Sequence, residues 1–275
     1  MLTWLFGKLA SSRQRWIKNT FIAIFCRCYA VDMRAALEKN PFAYATFHDF
    51  FIRRLTQDAR PLDNALDSIV SPADGTWSVQ GRVTAGTLLQ AKGKTYSALQ
   101  LLAGDVALTE TFAGGCYALI YLAPHNYHRV HMPITGRLLD MIYVPGALFS
   151  VSPFTAQHID GLFAKNERII AVFETALGKM ALILVGAMIV GSMSTAWAGR
   201  ITPPRQRGDV MRFNYENTPI ILEKGQEMGY FSLGSTVILL FASEEVHWDE
   251  ALLTHPVQMG QGIAKTSPGR MHDPA

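Results

Sequence analysis

Cysteine is scarce: Cys26, Cys28 and Cys116 are the three among 275 residues. An odd number excludes a complete disulfide framework, and the spacing matches no zinc motif. So few thiols suit a reducing compartment. Charge is also thin. Charged residues make up 17% of the chain and the formal net charge is +3, which speaks against nucleic-acid binding. Disorder is excluded by a hydrophobic content of 49%. Long apolar runs are missing, with one exception, the 20 uncharged residues 180–199 between Lys179 and Arg200. That run is long enough to cross a bilayer. However, Gly186, Gly191, Gly199, Ser192, Ser194 and Thr195 interrupt it, and two buried strands joined at Gly186 explain it equally well. No Gly-x-Ser-x-Gly surrounds Ser235, which disfavours the nucleophile elbow of an α/β-hydrolase.

Turning to what is present, residues 1–31 hold five basic residues (Lys8, Arg13, Arg15, Lys18, Arg27) and no acid. Trp4, Leu5, Leu9, Trp16, Ile17, Phe21, Ile24 and Phe25 recur at helical spacing. A basic amphipathic helix of this kind suits an anionic bilayer surface. An ordinary helix packed on the protein's own core has the same pattern. A signal peptide is disfavoured, because the run 21–25 is short and no small-residue cleavage site follows. Asp32 is expected to cap a helix over 33–39 that Asn40-Pro41 stops. A second short helix with an aromatic face is expected over 47–55. Ala59-Arg60-Pro61 then marks the start of the main domain.

Beyond residue 61 the texture changes to short β-prone runs at 75–83, 87–91, 118–122, 136–144, 168–173, 180–185, 187–193 and 237–241, separated by Gly, Pro and Asn. One helix is expected over 96–102. The fold class expected is α+β, mainly β, a barrel- or sandwich-like catalytic core with N-terminal amphipathic helices. The domains divide as 1–60 (helical, membrane-associating) and 61–275 (β-rich, catalytic).

Four places have the residue types for chemistry. In Leu233-Gly-Ser-Thr236 a serine hydroxyl follows a glycine whose carbonyl no side chain shields, so a base and a tight turn allow attack on it. The plain alternative is a turn leading into a strand. Ser71-Pro-Ala-Asp-Gly75 exposes one carboxylate at a turn. His125, His128 and His131 stand three apart; on a strand, residues three apart face opposite sides. No helical His pair or Cys partner supports a metal there. The fourth is the Gly-containing loop 144–152.

In sequence order, Ser71-Pro-Ala-Asp-Gly75, Tyr127-His-Arg-Val-His-Met-Pro133, Gly146-Ala-Leu-Phe-Ser-Val151, Val185-Gly-Ala-Met-Ile-Val-Gly191, Lys224-Gly-Gln-Glu-Met-Gly229 and Leu233-Gly-Ser-Thr236 together resemble the phosphatidylserine decarboxylases of the bacterial and mitochondrial type. The resemblance covers about residues 47–263. It implies a pyruvoyl enzyme made by self-processing. Ser235 Oγ attacks the Gly234 carbonyl and turns the amide into an ester. Elimination leaves Gly234 as a new C-terminus, and the dehydroalanine at 235 hydrolyses to a pyruvoyl group and ammonia. Large chain 1–234 and small chain 235–275 result. By the family's pattern Asp74, His131 and Ser235 form the charge relay for self-cleavage. The pyruvoyl at 235 then forms a Schiff base with phosphatidylserine, carbon dioxide leaves, and His128 is the candidate proton donor. No metal or diffusible cofactor is implied.

The resemblance further implies a homodimer, peripheral on the bacterial cell membrane at its cytoplasmic face. Residues 47–55 and 147–151 are expected to form an apolar rim. Two other classes compete: a serine hydrolase or self-cleaving protease using Asp74, His131 and Ser235, and a β-barrel module that binds membrane through its N-terminus. Removing residues 1–31 is expected to leave self-cleavage intact and to weaken turnover of vesicles more than of detergent-dispersed lipid. Parallel assays on the two substrates check this, and equal loss in both counts against a membrane role.

Overall fold

The apolar run that begins at Ser235 is a strand whose seven residues are all buried, Ser235–Phe241. The structure, a computed structural model, describes residues 10–91, 93–187, 192–202, 208–232 and 235–267. In chain order its strands are β1 (Ser68–Val70), β2 (Gly75–Arg82), β3 (Thr87–Ala91), β4 (Lys94–Ser97), β5 (Cys116–Leu122), β6 (Arg129–His131), β7 (Gly136–Val144), β8 (Arg168–Thr175), β9 (Gly178–Gly186), β10 (Met193–Thr195), β11 (Gly199–Arg200), β12 (Met211–Asn214), β13 (Ile221–Leu222), β14 (Glu227–Phe231), β15 (Ser235–Phe241), β16 (Val246–Trp248), β17 (Pro256–Val257) and β18 (Gly262–Thr266).

Nine of these strands make one antiparallel sheet in the order β12-β7-β8-β9-β15-β5-β2-β17, with β13 also paired to β7. Alternate residues of β15 enter two different cores. Val237, Leu239 and Phe241 pack with Ile120, Leu184, Met193, Met228 and Phe231. Ile238 and Leu240 pack on the other face with Leu101, Leu102, Phe112 and Phe163. A four-stranded sheet, β11-β10-β14-β6, contributes to the first core. Short helices and the β3–β4 hairpin cover the second. This double burial is why β15 reads as a continuous apolar run instead of an alternating one.

The expectation of a mainly β, α+β chain with N-terminal helices is met. The sandwich half of the expectation holds, and a closed barrel does not form: β12 and β17 end the large sheet at separate edges. The uncharged run 180–199 falls partly in β9 and partly in β10, which belong to different sheets. Residues 188–191 of the expected strand 187–193 lie outside the described residues. No helix among the described residues is long and apolar enough to cross a membrane.

At the N-terminus, α1 (Arg15–Tyr29) packs on α2 (Phe47–Phe51). The Phe25 ring lies 5.1 Å from Phe47, 6.1 Å from Phe50 and 5.8 Å from Phe51. Ile22 is fully buried beneath them. The opposite side of α1 leaves Trp16 72% and Ile24 58% exposed. The inward face of α1 therefore packs on the protein itself, and Phe47, Phe50 and Phe51 are core residues, not the rim expected over 47–55. The helix expected over 33–39 does not form. The Asp32 carboxylate accepts from the Arg34 backbone N–H at 2.9 Å, a turn-making bond, and Ala36 bridges to Leu55 instead.

Because Leu239 lies wholly inside the first core, Leu239→Ala should destabilise the protein by about 2–5 kcal/mol, whereas Trp16→Ala should cost under about 0.5 kcal/mol. Urea denaturation of the two variants measures both.

Candidate active site

Ser235 is the first residue of β15, opposite Leu122 of β5 and Gly186 of β9. Directly after Leu122 the chain turns back on itself. The Asn126 side chain accepts from Ala123 N–H at 2.8 Å, and Asn126 N–H donates to the Ala123 carbonyl at 2.9 Å. This turn carries His128 to the mouth of β15. His128 Nδ1 lies 3.3 Å from Ser235 Oγ, and both residues are fully buried. His128 Nε2 lies 3.1 Å from the Ala123 carbonyl, an acceptor, so Nε2 carries the proton and Nδ1 offers its lone pair to the serine hydroxyl. The Phe51 ring stacks on the imidazole at 4.1 Å. Burial, reinforced by the Arg53 charge, pulls the His128 pKa down to about 3, so the ring is neutral at physiological pH.

His131, the last residue of β6, lies three residues on and turns elsewhere. Its Nδ1 donates to the Gly225 carbonyl at 2.8 Å, and its Nε2 accepts from the Tyr127 hydroxyl at 3.0 Å. Burial lowers its pKa also. Asp74 sits in a close approach between strands: a Cβ on the following Gly75 would stand 2.5 Å from the Tyr121 carbonyl of β5. Its Oδ1 accepts from Arg60 Nε at 2.8 Å and from Met259 N–H at 2.9 Å, and Arg60 Nη2 bonds Oδ2. The structure thus joins Ser235 to His128. His131 and Asp74 are each bonded to other partners. Exposed His125 lies on the turn, outside the cluster. Leu233 and Gly234, the residues before Ser235, lie outside the described residues.

Four contributors were not singled out from sequence. Tyr127 and Arg60 occupy the two residues just described. Asn166, fully buried, ties the loop at 146–149 to the end of β9: its Nδ2 donates to the Phe149 and Gly186 carbonyls at 2.9 and 2.8 Å. Arg53 is the fourth. It is 3% exposed, and only its Nη2 is bonded, to the carbonyls of His125 at 2.8 Å and Asn126 at 3.4 Å. Its Nε and Nη1 are buried without partners. An orphaned buried donor costs about 1–3 kcal/mol, so an acceptor from outside the described residues would relieve it. An Arg in the pair Arg53-Arg54 after an apolar run is invisible as a signal until its burial is known. Among the described residues no group of three His, Cys, Asp or Glu side chains is gathered as for a metal ion.

A neutral buried histidine links stability to pH. Its folded pKa lies below the unfolded value near 6.5, so the unfolded chain binds the extra proton, and stability falls as pH drops from about 6.5 toward 3. His128→Gln should therefore recover about 2 kcal/mol of the loss between pH 7 and pH 5. Denaturation midpoints of the two proteins across that range check this.

Known proteins of similar sequence fall in one family. The family model described as phosphatidylserine decarboxylase matches residues 47–265, and one described as PSD matches residues 1–30. A phosphatidylserine decarboxylase proenzyme of Pseudomonas fluorescens strain SBW25 is 49% identical, across 96% of this chain and 93% of its own. One of Stutzerimonas stutzeri is 48% identical, across 97% and 91%. One of Bordetella petrii is 50% identical, across 94% and 91%. With a family model spanning most of its length and relatives of this identity end to end, the chain belongs to the phosphatidylserine decarboxylase family.

Proposed function

We propose that this enzyme removes carbon dioxide from the head group of phosphatidylserine, giving phosphatidylethanolamine, at a carbonyl centre made from its own Ser235. The observation that carries the reading is the fully buried Ser235 hydroxyl facing the unprotonated Nδ1 of His128. A pyruvoyl group at position 235, when present, supplies an electron sink for the electrons that the departing carboxylate leaves behind. The residues around Ser235 fit such a group: the serine is fully buried, a neutral imidazole faces it, and Arg53 on the same turn keeps buried donors without acceptors.

The chain's own residues then have definite tasks. His128 Nδ1 faces the reacting position and relays a proton to the α-carbon once carbon dioxide has left. Phe51 on one face and the Ala123 carbonyl at Nε2 hold the ring in one orientation and one tautomer. Exclusion of water from the buried mouth of β15 favours loss of the substrate's carboxylate charge.

For self-cleavage between 234 and 235, into chains 1–234 and 235–275, the relay drawn from the family likeness is Asp74 and His131. It requires His131 Nε2 to exchange the Tyr127 hydroxyl for Ser235. A second base competes for that step, because His128 already holds the serine hydroxyl in the arrangement described. The membrane-facing part of the reading assigns residues 1–60 to contact with the lipid surface, through exposed Trp16 and Ile24, and residues 61–275 to catalysis.

Denaturing mass analysis tests the scheme. Wild-type protein should separate into two chains, the smaller without a readable amino terminus, and borohydride should inactivate it. Ser235→Ala should stay whole and inert. His131→Ala should stay whole, while His128→Ala should still split and lose at least about 100-fold in decarboxylation. Should His128→Ala stay whole while His131→Ala splits, His128 is the base for cleavage. An intact, active wild-type chain overturns the reading.

A further inference from the structure

The substrate class proposed above carries two anions, and the site holds one buried cation with no anion of its own. Arg53 forms no ion pair among the described residues. Asp74 acts on it through space, but both carboxylate oxygens of Asp74 are taken by Arg60. Arg53 and His128 brace the same turn from two sides: Nη2 of Arg53 holds the carbonyls of His125 and Asn126, and Nε2 of His128 holds that of Ala123. Phe50, packed by the guanidinium at 5.7 Å, and Phe51, stacked on His128, are neighbours in α2. The two unpartnered nitrogens of Arg53 are therefore buried beside the turn that carries His128 to Ser235.

We propose that Arg53 binds the phosphodiester of the lipid head group and sets the enzyme's preference for a phosphorylated serine. This rests on the function proposed above. The choice between the two anions follows from the reaction. The carboxylate must leave as neutral carbon dioxide, so a guanidinium on it would hold the ground state more tightly than the transition state. The phosphodiester keeps its charge throughout, and a cation there anchors the substrate without opposing the chemistry. A guanidinium, permanently charged, suits a phosphate oxygen in a site without water. The phosphorus is separated from the reacting α-carbon by one methylene and one oxygen, so a cation that braces the same turn as His128 suits the head group better than the acyl chains.

The test compares two substrates in detergent micelles: phosphatidylserine, and O-dodecyl-serine, which keeps the amine and carboxylate and lacks the phosphate. Wild-type enzyme should favour phosphatidylserine. Arg53→Gln, with its self-cleavage checked by mass, should lose about 10- to 100-fold in kcat/KM on phosphatidylserine, mostly through KM, and change by less than about 3-fold on the ether. Arg53→Lys should recover part of the loss. Equal loss on both substrates would mean that Arg53 acts through His128 or the turn, and overturns the assignment, as does no loss at all. Should Arg53→Gln fail to split, the wild-type pair and Arg53→Lys still decide: equal use of the two substrates by wild type overturns it. A wild-type enzyme that splits and releases carbon dioxide from neither substrate overturns the proposed function itself.

Discussion

Residue 235 stands where a strand buried on both faces begins, and everything at the site depends on that placement. A hydroxyl there is cut off from bulk solvent. Among the described residues it finds one partner, an imidazole that the same burial holds neutral. In solvent, a serine beside a histidine of ordinary pKa would be weakly held and mostly hydrated. Between two hydrophobic cores the same pair is fixed in one tautomer, with its proton traffic confined to the groups that touch it.

The N-terminal segment belongs to this arrangement as much as the sheets do. Phe51 stacks on His128, Arg53 braces the turn beneath it, and Arg60 occupies Asp74. Arg129 closes the joint from the other side: it donates to the Ile52 carbonyl at 2.9 Å and pairs with Glu227 of β14 at 2.7 Å. A segment proposed to meet lipid on one side thus packs Phe51 against His128 on the other. Substrate entering from a membrane would meet both functions within one short stretch of chain.

The likeness of six short motifs to one family made the reaction legible from sequence, and the β-rich texture after residue 61 made the fold class legible. His128 and His131 do take different partners, though His128 precedes β6 and only His131 lies on it. Local rules failed where tertiary contacts won. Asp32 looked like a helix cap, but its carboxylate made a turn with Arg34, and the chain behind it bridged to Leu55. The aromatic face over 47–51 looked available to lipid, but α1 covered it. Arg53 and Asn166 carried no pattern at all, because an orphaned or cross-linking polar group is defined by what surrounds it.

Sequence alone determined the chemistry available here: a Gly-Ser bond before an apolar run, histidines three apart, a carboxylate before a glycine, and few charges or thiols to suggest any other class. Those are properties of composition and spacing, which need no folded chain. Only the tertiary structure decided which histidine touches Ser235, which partner holds Asp74, and which buried cation keeps two nitrogens without partners. Each of these depends on residues far apart in sequence brought into one unsolvated space, where a few ångströms separate a bonded pair from an unpartnered group.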